Sequence, residues 1–154
     1  MMDKKTCRRK VMGMLTNYKS NQVAIAMLEA DLRALEARGI DDLGVSYDRP
    51  KSSRTNRVVS RPEEEVIRLE QERCRIIDQI ALMQNQLDKV DIALAHLERP
   101  YRLLLQLKYI EHKRWVEIYQ QINYSEEYIR GKMNEAALDM LAALLFPQPL
   151  LLEA

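Results

Sequence analysis

Between Val66 and Leu97 the apolar residues fall at alternating spacings of three and four: Val66, Leu69, Ile76, Ile80, Met83, Leu87, Val90, Leu94 and Leu97, with Arg73 as the one polar member. A strand repeats every two residues, so only a helix keeps such a seam on one side, and more than about four heptads of it predict a coiled-coil helix. Its start is marked by Ser60-Arg61-Pro62-Glu63: Ser60 can cap, Glu63 can reach back to the cap's amide, and Pro62, Glu64 and Glu65 suit a first turn. A second seam, Val11, Met14, Tyr18, Ile25, Leu28, Leu32 and Leu35 with the polar Asn21, predicts a helix from Asp3 to Arg38. Gly39 then reads as its C-terminal stop.

Four glycines and five prolines are too few for a turn-dense β fold or for nucleotide-binding glycine loops. With 47% hydrophobic and 31% charged residues the chain can build a core and still cover long helices with charge, so the expected class is all-α. From Gly39 to Arg61 the periodicity stops and Gly, Pro, Ser and Asn accumulate, which predicts a long basic loop over 39–61 carrying Arg49, Lys51, Arg54, Arg57 and Arg61. Residues 1–97 thus read as a helical coiled-coil hairpin. Ile77, Leu82 and Ile92 lie off its main stripe, and a homo-oligomer through the helical segments would bury them; packing within one chain is the alternative.

After Leu97 the pattern tightens. Pro100 suits a helix start, Leu103, Leu104, Leu107 and Ile110 form one inner face, and Glu111-His112-Lys113 is a polar corner. Trp115, Ile118 and Ile122 mark a second short helix; Asn123 is expected in the left-handed conformation at its end, and Ser125 caps a third helix opened by Glu126 and Glu127. A short helix, a sharp turn and a longer capped helix make the helix-turn-helix plan, here over 98–146, with 147–154 as an apolar tail.

The stretch Leu97 to Leu141 resembles region 4 of bacterial sigma factors in its L-x-R-P-type start, the Leu107/Tyr109/Ile110 block, Trp115-x-x-Ile118, Tyr124-Ser125 and Ile129-Arg130-x-Lys132-x-x-x-Ala136, with Asn123 where a glycine is usual. Together with the front half, the Ser-Ser-x-Thr-Asn loop and the S-x-P-E-E start, the chain is similar to the RinA/ArpU-type late transcription regulators of phages from Gram-positive bacteria. The resemblance implies a phage or prophage protein that binds a promoter or operator near late genes, here a sequence-specific, double-stranded DNA-binding activator. A phage terminase small subunit and a sigma-like protein-interaction module are the alternatives. The charged N-terminus with no apolar h-region behind it predicts the bacterial cytoplasm. The apolar surface of Leu138, Leu141, Leu144, Leu145, Phe146 and the tail is expected to pack on the coiled-coil helices or a second subunit, with host RNA polymerase as the alternative partner.

Stepping 100° per residue from Ile129 places Met133, Ala136 and Met140 on the inner face of the third helix and Glu127, Arg130, Gly131, Asn134 and Glu135 outward. Arg can bind guanine bidentately, Asn adenine, and Glu the amino group of cytosine, so Glu127, Arg130 and Asn134 are the expected base contacts. Lys113, Arg114, Ser125, Glu126, Tyr128, Gly131 and Lys132 complete the expected DNA-binding set, with Lys113, Arg114, Lys132 and the Tyr128 hydroxyl on phosphates. Gly131 costs about 1 kcal/mol against alanine in a helix interior; close approach to the groove would account for it.

Residues 1–61 hold 13 Lys/Arg against 7 Asp/Glu, whereas 98–154 hold 7 against 8, so the third segment lacks general attraction for a polyanion. Lys4, Lys5, Arg8, Arg9, Lys10, Arg54 and Arg57 are the expected supplementary phosphate contacts. Neither cysteine, Cys7 nor Cys74, lies near a histidine or another cysteine, so no metal is expected. No cofactor motif, nucleophile elbow or phosphate loop appears, and the chain reads as non-enzymatic. The absence of an apolar run of about 18 residues predicts no membrane association.

Overall fold

The computed structural model describes residues 3–42 and 63–147, and every element among them is helical. The elements are α1 (Lys4–Thr16), α2 (Tyr18–Asp42), α3 (Glu63–Ala95), α4 (Arg99–Leu105) continuing as a π turn (Gln106–Ile110), α5 (Trp115–Tyr119), α6 (Glu126–Tyr128), a second π turn (Ile129–Met133) and α7 (Asn134–Leu145). The basic loop with Arg54 and Arg57, the Ser60 cap and the end of the tail lie outside the described residues.

The N-terminal helix starts where the Asp3 side chain accepts the Thr6 N–H at 2.8 Å. It is interrupted at Asn17 (φ −90°, ψ 3°), which separates α1 from α2, although the Asn17 N–H still reaches the Gly13 carbonyl and the Asn21 N–H the Asn17 carbonyl. Gly39 is not the stop: α2 runs on to Asp42, because glycine tolerates α geometry at modest cost and nothing there compels the left-handed turn. Pro100 does sit in the first turn of α4, after an extended Glu98.

The chain divides into two compact units, one of Met1–Gln22 with Asn85–Ala154, the other of Val23–Gln84. The boundary expected after Leu97 therefore falls inside the first unit. The reason is α1, which packs against α7 and the first π turn and inserts Val11 and Leu15, both fully buried. Val90 and Leu94 from the end of α3, Leu97 from the turn after it, Leu104 and Leu105 from α4, Ile118, Ile129 and Leu141 complete the same core. Arg8 and Asp139 fasten α1 to α7 by two charge-assisted hydrogen bonds of 2.6 and 2.8 Å. The bonded Arg8 guanidinium holds the Asp139 carboxyl below the usual range. Arg8 is thus committed to the fold and leaves the set of free phosphate-binding cations.

In the second unit Ile25 and Ile76 are buried, while Leu28, Leu32, Leu69, Ile80 and Met83 are half-buried. Arg73, the polar member of the seam, has a structural partner: it pairs with Glu36 of α2 at 3.4 Å as well as with Glu70 of its own helix at 3.2 Å. Val23, Met27, Ile67 and Leu82 remain between 55% and 64% exposed. Among the described residues no helix is long and apolar enough to cross a membrane.

Within the first unit the Tyr18 hydroxyl donates to Asp91 Oδ1. Burial, then this hydrogen bond and the neighbouring carboxylates, push the Tyr18 phenol up to about 12. The folded value lies above the ordinary value near 10, so the protonated form is favoured by folding and its contribution is complete below pH 10. Stability is expected to fall as pH rises through 10 to 12, by no more than about 1 kcal/mol once solvent screening of this largely exposed pair is allowed for. Urea midpoints measured across that range should fall less in Tyr18→Phe than in the parent chain; identical slopes would remove the bond from the account.

Candidate functional site

The residues singled out in the C-terminal part are positioned by two helix ends and a turn. The first π turn closes at His112, whose φ of 56° is left-handed. The Glu111 N–H reaches back to the Gln106 carbonyl and the Lys113 N–H to the Leu107 carbonyl, a Schellman-type close widened by one residue because the last turn is π. Arg114 then adopts an extended conformation (φ −75°, ψ 153°), and its N–H donates to Glu117 Oε2 at 3.0 Å, which starts α5. The left-handed residue is therefore His112 and not Asn123. At Asn123 the Tyr124 N–H bonds the Ile122 carbonyl at 3.0 Å, an inverse γ-turn that needs no positive φ. Ile122, 4% exposed, pins this turn to the core.

Ser125 performs the capping expected of it: its Oγ accepts the Tyr128 N–H at 3.2 Å, from an extended backbone. Beyond it the helix passes through the second π turn, which changes which face is buried. A uniform α-helix from Ile129 brings Ala136 and Met140 to the core; the π turn takes one residue more to go round, so Ala137 and Leu141 take those places. Both are fully buried with Ile129, Met133 is 1% exposed, and Met140 is 40% exposed. Met140 is accordingly not a core residue.

The same change draws Asn134 inward. Its Oδ1 accepts the Tyr109 hydroxyl at 3.0 Å, and the side chain is half-buried between the two π turns. Burial raises the Tyr109 phenol, opposed by that bond. Asn134 is thus a structural residue and leaves the outward set, while Tyr109, which sequence reasoning placed only within an apolar block, supplies the bond that joins these elements.

The rest of the expected set faces solvent. Lys113, Arg114, Ser125, Glu126, Glu127, Arg130, Gly131 and Lys132 are exposed, and Tyr128 is 37% exposed. Among the described residues Lys113, Arg114, Arg130 and Lys132 have no carboxylate within ion-pairing distance, whereas Arg8, Arg73 and Arg75 all do. Lys108 is occupied differently, its ammonium lying 4.6 Å from the centroid of the Trp115 ring. On α1, Lys4, Lys5, Arg9 and Lys10 are exposed, with Lys10 standing 6.0 Å over Phe146.

Gly131 lies in the second π turn with open space where a Cβ would stand. Among the described residues nothing requires glycine there. Gly131→Ala is expected to raise stability by about 0.5–1 kcal/mol, read as a higher urea midpoint; a lower midpoint would reveal an internal constraint.

Two features were not foreseen. Tyr124 and Tyr128 pack ring to ring, centroids 5.5 Å apart, and the Tyr101 phenol of α4 is raised, first by the charge of the Tyr128 phenolate and then by burial. Among the described residues no group of three His, Cys, Asp or Glu side chains is arranged to hold a metal ion. Comparisons with protein families, with curated proteins and with solved structures found no match to this chain.

Proposed function

We propose that the chain is a sequence-specific DNA-binding transcription activator of phage late genes, with α5, the turn at 120–125 and the helix from Glu126 onward acting as a helix-turn-helix. The observation that carries this reading is the division of one helix: Ile129, Met133, Ala137 and Leu141 are buried beneath it, while Glu126, Glu127, Arg130 and Lys132 stand outward with no ionic partner among the described residues. Cations left unpaired on a rigid helix near its capped start are what recognition of a polyanionic groove needs.

In this reading Arg130 binds a guanine edge and Glu127 accepts from cytosine. Lys113, Arg114 and Lys132 hold phosphates, which fix the register of the helix without reading sequence. Lys4, Lys5, Arg9 and Lys10 belong to the same compact unit and supply the positive charge that 98–154 lacks. The space around Gly131 serves close approach of the backbone; Gly131→Gln with unchanged affinity would remove that role. Dimerisation through the exposed Val23, Met27, Ile67 and Leu82 doubles these contacts and sets paired half-sites. The site of action is the bacterial cytoplasm, and the apolar end of α7 with the tail is the place for a contact with host RNA polymerase.

The test is selection by the full chain from a pool of random-sequence duplexes in the presence of excess nonspecific DNA. Enrichment of a recurring site is the expected result. A pool that stays unenriched while the chain is folded overturns the reading, and a ring-shaped oligomer with sequence-tolerant binding would favour a terminase small subunit instead.

A further inference from the structure

Tyr124 and Tyr128 sit on either side of the Ser125 cap, one at the end of the γ-turn and the other at the third position of the helix. Their rings touch, tilted by 41°, yet remain 52% and 37% exposed. Two aromatic rings packed on each other in solvent form a small apolar surface that is already ordered, so binding to it costs little side-chain entropy.

The charges around the pair narrow what it meets. Glu126 and Glu127 share its turn, and two carboxylates beside the phenols oppose a phosphate there. Arg130 and Lys132 follow on the same helix, unpaired among the described residues, and call for a polyanion nearby. A ligand that is anionic overall but offers an apolar group away from its phosphates satisfies both. On the major-groove edges of the four bases, thymine alone carries such a group, its 5-methyl.

We infer that the Tyr124 and Tyr128 rings read thymine 5-methyl groups in the major groove, making Tyr124 a specificity-determining residue outside the outward strip of the recognition helix. This rests on the DNA-reading proposal above. It requires thymine at one or two fixed positions of the bound site, at the end of the contact set occupied by the helix start.

The test uses the site obtained by selection, with each thymine replaced singly by deoxyuridine, which deletes the methyl and keeps the base pair. The full chain should bind about fourfold more weakly at one or two positions, the value of burying one methyl-sized group. Tyr124→Ser, whose exposed position leaves folding intact as checked by thermal melting, should lose a similar factor on the thymine site and become insensitive to uracil there. Tyr128→Phe keeps its ring and should keep the sensitivity. Uracil tolerated at every position overturns the inference while leaving DNA reading in place, as does sensitivity that persists unchanged in Tyr124→Ser. Failure to select any site overturns both, and binding of the tyrosine pair to another protein would then take their place.

Discussion

Leu141→Ala is expected to destabilise the first unit by about 2–5 kcal/mol, whereas Met140→Ala should change stability by less than about 1 kcal/mol. Leu141 is fully buried in α7, the helix against which both α1 and α4 pack, so truncation leaves a cavity that neighbours on two sides cannot fill by a small shift. Total stabilities of about 5–15 kcal/mol make this a large fraction of what holds the domain together. Urea denaturation reads it as a lower midpoint at constant slope. The comparison is sharp because the two residues are adjacent and a uniform α-helix assigns the core place to Met140. Equal losses at both positions would remove the π turn at Ile129–Met133 from the account.

Arg130→Ala is expected to leave stability within about 0.5 kcal/mol, since the side chain is exposed and has no internal partner among the described residues. Its effect should fall on DNA: a loss of about 1–3 kcal/mol in affinity for the selected site, with discrimination relaxed at one base pair. Fluorescence anisotropy with the selected duplex and its single-base variants measures both quantities. A loss spread evenly over all sequences, with a shallower salt dependence, would instead place Arg130 on a phosphate. Asn134→Ala should behave in the opposite way, since its Oδ1 serves the Tyr109 hydroxyl and its removal acts on the fold.

Period alone carried much of the fold. The seam predicted from Val66 to Leu97 is buried at Ile76, Leu87, Val90, Leu94 and Leu97, half-buried at Leu69, Ile80 and Met83 and exposed at Val66, and local chemistry marked the Pro100 start and the Ser125 cap. These features depend on residues within a few positions of one another. What was not legible depends on distant partners or on departures from a uniform helix. Nothing near Arg8 indicates that its guanidinium belongs to Asp139, and nothing near α1 indicates that it completes a core made of C-terminal helices. The π turns shift every subsequent residue by one place, which is why Met140 and Asn134 were put on the wrong faces while Arg130, before the shift accumulates, was not. His112 takes the left-handed conformation expected of Asn123 because the widened helix end closes through it, whereas the turn after α5 closes through a γ-turn that needs no positive φ. The outward residues were legible as residue types, and only their exposure and lack of ionic partners required coordinates.

The most direct test of the central claim is to follow backbone amide resonances of the full chain as the selected duplex is added. Shifts concentrated at Lys113–Arg114 and across Ser125–Lys132, with Ile118 and Leu141 little affected, are what this account predicts. Shifts that spare Glu126 to Lys132 while the duplex binds elsewhere on the chain would contradict it.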